Sequence, residues 1–361
     1  MSTFADVPEQ VHAKRLLEAA LAEGPSHAYL FHGPAGVGKR TAARAFAGVL
    51  LGDARRVDAG THPDLQVIEA LGDMIRIDEI RALHHDLHMR PFEGDRRVYL
   101  IFDAHRLNDE SAAALLKDLE EPPSYATLVL VADELGPLPE TIRSRCQLVP
   151  FRRLSRAAVE TWLADHAPEL APTQCATLAR VAGGRLDRAA RLVDPAAREQ
   201  RSALIDAARA TYLADDAHPS DGAAVILASA SARASTARGR EQELVATLDL
   251  PSREAEQRVR RAAFGAEREE LLASLDDLGA WYRDLVLVGA GAEDAVVNAD
   301  RLDDLRTDAA ATAGAEEAAA VVRQTWREAE EFNLNPTLLL EALFVRLRRV
   351  FGPSRVASAG R

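Results

Sequence analysis

The sequence is poor in the residues that staple or anchor a chain. Its 361 residues include two cysteines, Cys146 and Cys175. Neither a disulfide framework nor a four-thiolate zinc site can be built within it, and both thiols are expected as small core residues. Nowhere are there about 18 consecutive apolar residues of the kind that span a bilayer, and the opening MSTFADVPEQ lacks a basic segment followed by an apolar run. A cytoplasmic protein with no membrane partner is expected. Positive charge is also short: 44 Lys and Arg against 56 Asp and Glu leave a net charge of -12. That argues against a protein gripping nucleic acid alone, because such binding draws on clustered cations meeting phosphates. A local or shared DNA surface stays open. Aromatics are scarce, at 5%, while hydrophobic residues make up 47% and charged residues 28%, the balance of an alanine-rich, helix-rich globular protein rather than a disordered one. No heptad run long enough for a coiled coil and no fixed-period repeat is present.

What is there falls into two regimes, as the chain's length, enough for two or three domains, leads one to expect. Up to about Ser155, buried-strand signals alternate with helical ones. AYLF (Ala28 to Phe31), DLQVIEA (Asp64 to Ala70), RVYLIFDAH (Arg97 to His105) and ATLVLVAD (Ala126 to Asp133) read as strands. KRTAARAFAGVLL, IDEIRALHHDLH and NDESAAALLKDLEE read as helices, the last with Asn108 as its N-cap and Asp109 and Glu110 suited to its positive end. Alternation of this kind indicates a parallel sheet covered on both faces. Beyond Ser155 the strand signals cease. Short helices run to about Leu204, broken at APELAPT and AGGRLD, and a polar break at Ala214 to Ala224 leads to a helical remainder with a turn at GAGAED. The last helix should start at Asn335 and Pro336, bury Leu338, Leu339, Leu343 and Leu347, and stop at Gly352-Pro353.

The chemistry concentrates at HGPAGVGKRT, His32 to Thr41. A phosphate-binding loop needs glycines so that the backbone winds tightly and aims its N–H groups at phosphates, a helix N-terminus behind it, and a lysine for the outer phosphates. Gly33, Pro34, Gly36, Val37, Gly38 and Lys39 supply that pattern between a strand and a helix; a plain glycine-rich turn is the alternative. Arg40 stands where a Ser or Thr oxygen normally holds magnesium, and a guanidinium offers donors only. Thr41 does not repair the loss, since one residue along a helix turns the side chain by about 100°. The acidic strand end that completes such a site is Asp103, but Ala104 follows it, and a methyl group orients no water. Magnesium binding is therefore expected to be impaired and hydrolysis by this chain's own residues absent, with ATP or ADP held, if at all, through Lys39 and the loop amides. Glu110 or Asp133 would be the replacement base if one exists. His84 and His88, four apart on a helix, share a face, but the sequence offers no third ligand beside them, so they read as solvated or packing histidines and no metal site is expected. RRLSRAA and RVRRAAF read as ordinary helical charge patterning, with a DNA or partner face as the alternative.

The loop, LLKDLEEPPSYATLVLVAD and LPETIRSRC, in this order and spacing, resemble the bacterial clamp-loader subunits of DNA polymerase III, of the AAA+ class. THPDLQVIEA, IRIDEIRALHHDLHMRPFEGDRRVYLIFDAHRLN, WYRDLVL and NLNPTLLLEALFVRL are similar to the delta prime subunits within that family, and the resemblance is weakest from about Ala190 to Leu275. It implies an α/β AAA+ P-loop domain with a doubly wound parallel sheet over residues 1–152. A small helical lid over 153–207, an all-α collar or oligomerisation domain over 208–352 and a loose tail over 353–361 would follow.

In that family the arginine of the Ser144-Arg145-Cys146 motif is presented to ATP on the adjacent subunit. The resemblance thus implies a stator that occupies one end of a five-subunit ring with gamma/tau motor subunits and a delta subunit. Through the assembly it would act on the sliding clamp and primer-template DNA, lending Arg145 in trans; a structural salt bridge is the alternative role for that arginine. Three departures accompany it. The family's four-cysteine zinc module is missing from GDARRVDAGTHPD, so no zinc is expected. Asp187, flanked by Arg185 and Arg188, takes the place where motor subunits aim an arginine at their own phosphates. Lys39 is kept, although a wholly degenerate stator would not require it. The competing readings are an ATP-hydrolysing gamma/tau motor and a stand-alone P-loop kinase or repair ATPase.

Overall fold

The structure, a computed structural model, describes residues 4–352 except 71, 73, 134, 215–217, 248–250 and 333. The expected loose tail, including Pro353, lies outside the described residues. By its internal contacts the chain divides into two compact units: residues 1–171 with 183–189, and residues 172–182 with 190–361.

The first unit is built on a five-stranded, wholly parallel sheet. Its elements run α1 (Val11–Glu23), β1 (Ala28–His32), α2 (Lys39–Leu51), α3 (Ala54–Asp58), β2 (Leu65–Ile68), α4 (Ile77–Leu87), β3 (Arg97–Ile101), α5 (Asp109–Glu120), β4 (Ala126–Ala132), α6 (Glu140–Arg143), β5 (Gln147–Pro150) and α7 (Arg156–His166). The strands lie in the order β2-β3-β4-β1-β5. Successive strand side chains point to opposite faces, and here both faces are apolar. Tyr29, Phe31, Val98, Leu100, Val129 and Val131 pack with Phe46 of α2 and Leu17 of α1. Leu30, Tyr99, Ile101, Leu128 and Leu130 pack with Ile80 and Leu83 of α4 and Leu115 of α5. This two-sided burial is why the strands read as continuous apolar runs. Asn108 caps α5 as expected, its Oδ1 accepting from Ser111 N at 2.8 Å.

One strand carries no clear signal in the sequence. β5 is four residues long, pairs with β1 alone, and leaves Gln147 and Leu148 exposed. A short edge strand has neither the length nor the uninterrupted apolar run that betrays a central one.

The second unit is helical. It contains α8 (Pro172–Ala182), α10 (Pro195–Leu213), α11 (Pro219–Val245), α12 (Ser252–Gly289), α13 (Leu302–Asp308), α14 (Ala315–Glu331) and α15 (Pro336–Phe351), while α9 (Leu186–Val193) straddles the division. Its core gathers Trp281, Tyr282 and Leu285 of α12 against Leu340, Leu343, Phe344 and Leu347 of α15. α15 begins at Asn335, whose Oδ1 accepts from Leu338 N at 3.1 Å. Leu338, expected inward, is 66% exposed. The buried stripe runs through Leu339, Leu340, Leu343, Phe344, Leu347 and Phe351, the three- and four-residue spacing of one helix face, which Leu338 misses. Arg209 of α10 binds the buried Asp308 through two hydrogen bonds, of 2.7 and 3.1 Å, and Tyr212 OH donates to the same carboxylate at 2.8 Å.

Candidate functional site

Parallel strands deliver the residues that follow them to one edge of the sheet, the edge where α/β proteins place their sites. The register pairs His32 of β1 with Ala132 of β4, so the loop opening at Gly33 and the acid Asp133 emerge side by side. Asp103, just past the end of β3, and Glu69, just past β2, emerge along the same edge.

The loop has the backbone of a phosphate cradle. Gly33, Gly36 and Gly38 have φ of +138°, +68° and +92°, and Gly38 leads directly into α2. Two of these glycines also answer to space. A Cβ on Gly33 would lie 2.2 Å from the carbonyl oxygen of Phe151, and one on Gly36 would lie 1.8 Å from Asp187 Oδ1. Val37 is fully buried beneath the loop. Gln10 ties the loop to the end of β5: its Nε2 donates to Val37 O at 3.3 Å and Arg152 O at 2.7 Å, and its Oε1 accepts from Arg152 N at 3.0 Å.

The loop lysine and several loop carbonyls are engaged by the chain itself. Lys39 is 4% exposed; its Nζ donates to the carbonyls of Gly33 at 2.7 Å and Pro34 at 2.5 Å and pairs with Asp133 Oδ1 at 2.7 Å. Burial pulls this ammonium below its usual pKa, and Asp133 offsets part of that cost. Arg40 turns from the loop to Asp103, Nη2 donating to Oδ2 at 2.6 Å, with Glu69 Oε1 3.5 Å from Nη1 and the Phe102 ring beneath the guanidinium at 4.8 Å. Burial opposes the charge, but Asp103 and then Glu69 outweigh it and hold Arg40 above its ordinary pKa. Asp103 has a left-handed backbone, φ 55°, which aspartate tolerates better than most residues. Ala104 is buried and Thr41 is exposed.

Asp187 completes the enclosure. Leu186 N donates to Gly36 O at 2.6 Å, which lays the Asp187 carboxylate on the loop glycine. Arg185 grips that carboxylate from the other side, Nη2 to Oδ2 at 2.7 Å. Burial raises the acid's pKa, yet Arg185 and the Arg188 backbone overcome this and leave it below the ordinary range. The position expected to lack a phosphate-sensing arginine thus carries a negative charge against the loop.

Of the two alternative bases considered from sequence, Asp133 is the counter-ion of Lys39, and Glu110 sits 3.8 Å from Arg81 on the helix surface.

The structure does not bring Ser144, Arg145 and Cys146 to this loop. Gln147 pairs with Tyr29, and Pro150 with His32. Arg145 therefore precedes the sheet at its other edge, about 10–13 Å of strand away from the loop end. There Nη2 donates to Glu120 Oε1 at 2.5 Å and Nη1 to Thr141 O at 2.9 Å, and Ser144 Oγ donates to the same carbonyl at 3.1 Å. The guanidinium remains 34% exposed. Burial pushes the Cys146 thiol up to about 12, so it is no nucleophile at neutral pH.

The sequence alone assigns no role to Gln10, Glu69 or Glu120, and it offers no third ligand near His84 and His88. The fold supplies one: Asp118 of α5, with Oδ1 2.6 Å from His84 Nδ1.

The wholly parallel sheet and the glycine loop leading into α2 give an α/β P-loop fold. A family model described as DNA polymerase III, delta subunit, matches residues 9–155. The delta' subunit of DNA polymerase III from Pseudomonas aeruginosa is 35% identical over 196 residues, 50% of this chain and 60% of that protein. The delta' subunit from Bacillus subtilis is 35% identical over 153 residues, 39% of this chain and 46% of that protein. The tau subunit from Escherichia coli is 34% identical over 212 residues, 54% of this chain and 33% of that protein. In each case the aligned part is less than two thirds of the relative's length. Over its first part, residues 9–155, the chain is thus similar to subunits of DNA polymerase III. Among the described residues no helix is long and apolar enough to cross a membrane.

Proposed function

We propose that this chain is a delta prime-type stator of a bacterial clamp loader, a subunit that turns over no ATP itself and lends Arg145 to ATP bound by a neighbouring motor subunit. The observation that carries the reading is the Arg40–Asp103 ion pair. The acid that would steady magnesium is bonded to a guanidinium standing where a metal-ligating hydroxyl would be, so the residues present do not fit a magnesium–triphosphate site. The Lys39–Asp133 pair and the Asp187 carboxylate beside Gly36 point the same way, since an incoming phosphate would have to displace one acid and approach another. Arg145 suits the opposite role. It lies at the far edge of the sheet, partly exposed and held by the exposed Glu120 carboxylate and the Thr141 carbonyl, and its rigid fork is matched to phosphoryl oxygens. In this reading the helical second unit joins the ring of gamma/tau and delta subunits, and the assembly places the sliding clamp on primed DNA.

A gamma/tau-type motor is the second reading, favoured by the retained loop glycines and Lys39 and by the similarity to the tau subunit. The purified chain separates the two. The stator reading expects no ATP turnover above background with or without primed DNA; a motor would hydrolyse ATP and lose that activity on Lys39→Ala.

A further inference from the structure

On the sheet face away from α2, the exposed surface of α4 meets α5. His84 and His88 lie one helical turn apart on α4, their rings 4.9 Å between centroids and nearly perpendicular. Asp118 reaches them from α5. One ligand atom from each of the three residues lies within 4.8 Å of the other two. Both histidines are exposed, whereas Asp118 is 2% exposed. Its Oδ1 meets His84, but its Oδ2 is buried without a hydrogen-bond partner. A carboxylate oxygen withdrawn from water and left unpaired is costly, and native proteins rarely leave one so without a reason. Two imidazoles open to solvent and a buried carboxylate with a spare oxygen are the donor set of a transition-metal site.

We infer that His84, His88 and Asp118 form a binding site for a divalent transition metal of the zinc class. Two nitrogen donors and one oxygen donor suit Zn²⁺ and Co²⁺, not Mg²⁺ or Ca²⁺, which take oxygen ligands. Closing on an ion requires His84 and Asp118 to exchange their mutual hydrogen bond for bonds to metal of about 2.0–2.2 Å, leaving a fourth, solvent-facing position for water. The ion would staple α4 to α5 and satisfy Asp118. The site shares no residue with the phosphate loop, so its existence does not depend on the stator reading.

The test is a Co²⁺ titration of the full chain, free of any histidine tag, followed by displacement with Zn²⁺. The site expects one equivalent of Co²⁺ to produce the visible absorption of a four-coordinate ion, Zn²⁺ to abolish it, and His88→Gln to weaken Co²⁺ binding at least tenfold. His88 is exposed, so that variant does not rely on a repacked core. In parallel, excess Zn²⁺ should raise the melting temperature of the wild-type chain more than that of His88→Gln, as weaker binding to the folded form requires. The proposal is overturned if the wild type gives no saturable one-equivalent signal, or if His88→Gln titrates and melts with metal as the wild type does.

Discussion

Arg40 Nη2 stands 2.6 Å from Asp103 Oδ2, joining the residue that follows the loop lysine to the acid at the end of β3. A protein cation is thereby bonded to the carboxylate that a metal would need. Replacing Arg40 with threonine frees Asp103 and restores a hydroxyl. Magnesium-dependent affinity for a fluorescent ATP analogue should then rise about tenfold, equivalent to about 1.4 kcal/mol. Anisotropy titrations with and without Mg²⁺ check this, and equal magnesium dependence in variant and wild type would count against the role given to the pair.

Asp64 organises the turn before β3. Buried to 1% exposure, it accepts backbone N–H groups from Phe92 at 2.6 Å, Glu93 at 3.0 Å and Gly94 at 3.4 Å. Burial raises its pKa, but these three donors outweigh burial and leave it below the ordinary value. A depressed carboxylate contributes stability above its unfolded pKa of about 3.9 and loses it as pH falls through the folded value. Asp64→Asn should cost about 2 kcal/mol at pH 7, the scale of hydrogen bonds to a charged group. The difference from wild type should shrink as pH falls below about 4. Urea unfolding at pH 7 and pH 3 measures both; a difference independent of pH would show that the charge is not the cause.

Cys146 is half-buried, and that desolvation pushes its thiol up to about 12. Native-state alkylation at pH 8 should label it at least about a hundredfold more slowly than a free thiol of pKa about 8.5, with the rate climbing as pH rises. Peptide mapping after timed iodoacetamide treatment reads this directly, and rapid labelling of Cys146 in the folded chain would contradict its protonated state.

The sequence made the central sheet and the loop legible for reasons that are local. Strands buried on both faces are unbroken apolar runs, and the loop's glycines, lysine and following helix form one contiguous motif. Arg40 beside the loop lysine and Ala104 after Asp103 stand out for the same reason. What stayed hidden depends on strand order or helix packing. Asp133 becomes the partner of Lys39 because β4 lies beside β1, and Asp118 becomes the partner of His84 because α5 packs beside α4. Leu338 was misplaced because a run of three leucines does not reveal which of them faces the core. β5 was passed over because four half-exposed residues carry no period. Arg145 stands out in the sequence by its motif, but its place at the edge opposite the loop follows only from the register of β5 on β1.

The central claim is that the chain's contribution to ATP turnover passes through Arg145 and not through Lys39. The direct measurement is steady-state ATP turnover, stimulated by clamp and primed DNA, of complexes rebuilt with motor and delta subunits in which only this chain is varied. With Arg145→Ala, turnover from the neighbouring site should fall by a factor on the order of 10³, the lower end for arginine fingers. With Lys39→Ala, it should stay within about twofold of wild type, a difference of about 0.4 kcal/mol in barrier. Loss of turnover with Lys39→Ala and retention with Arg145→Ala would contradict the account.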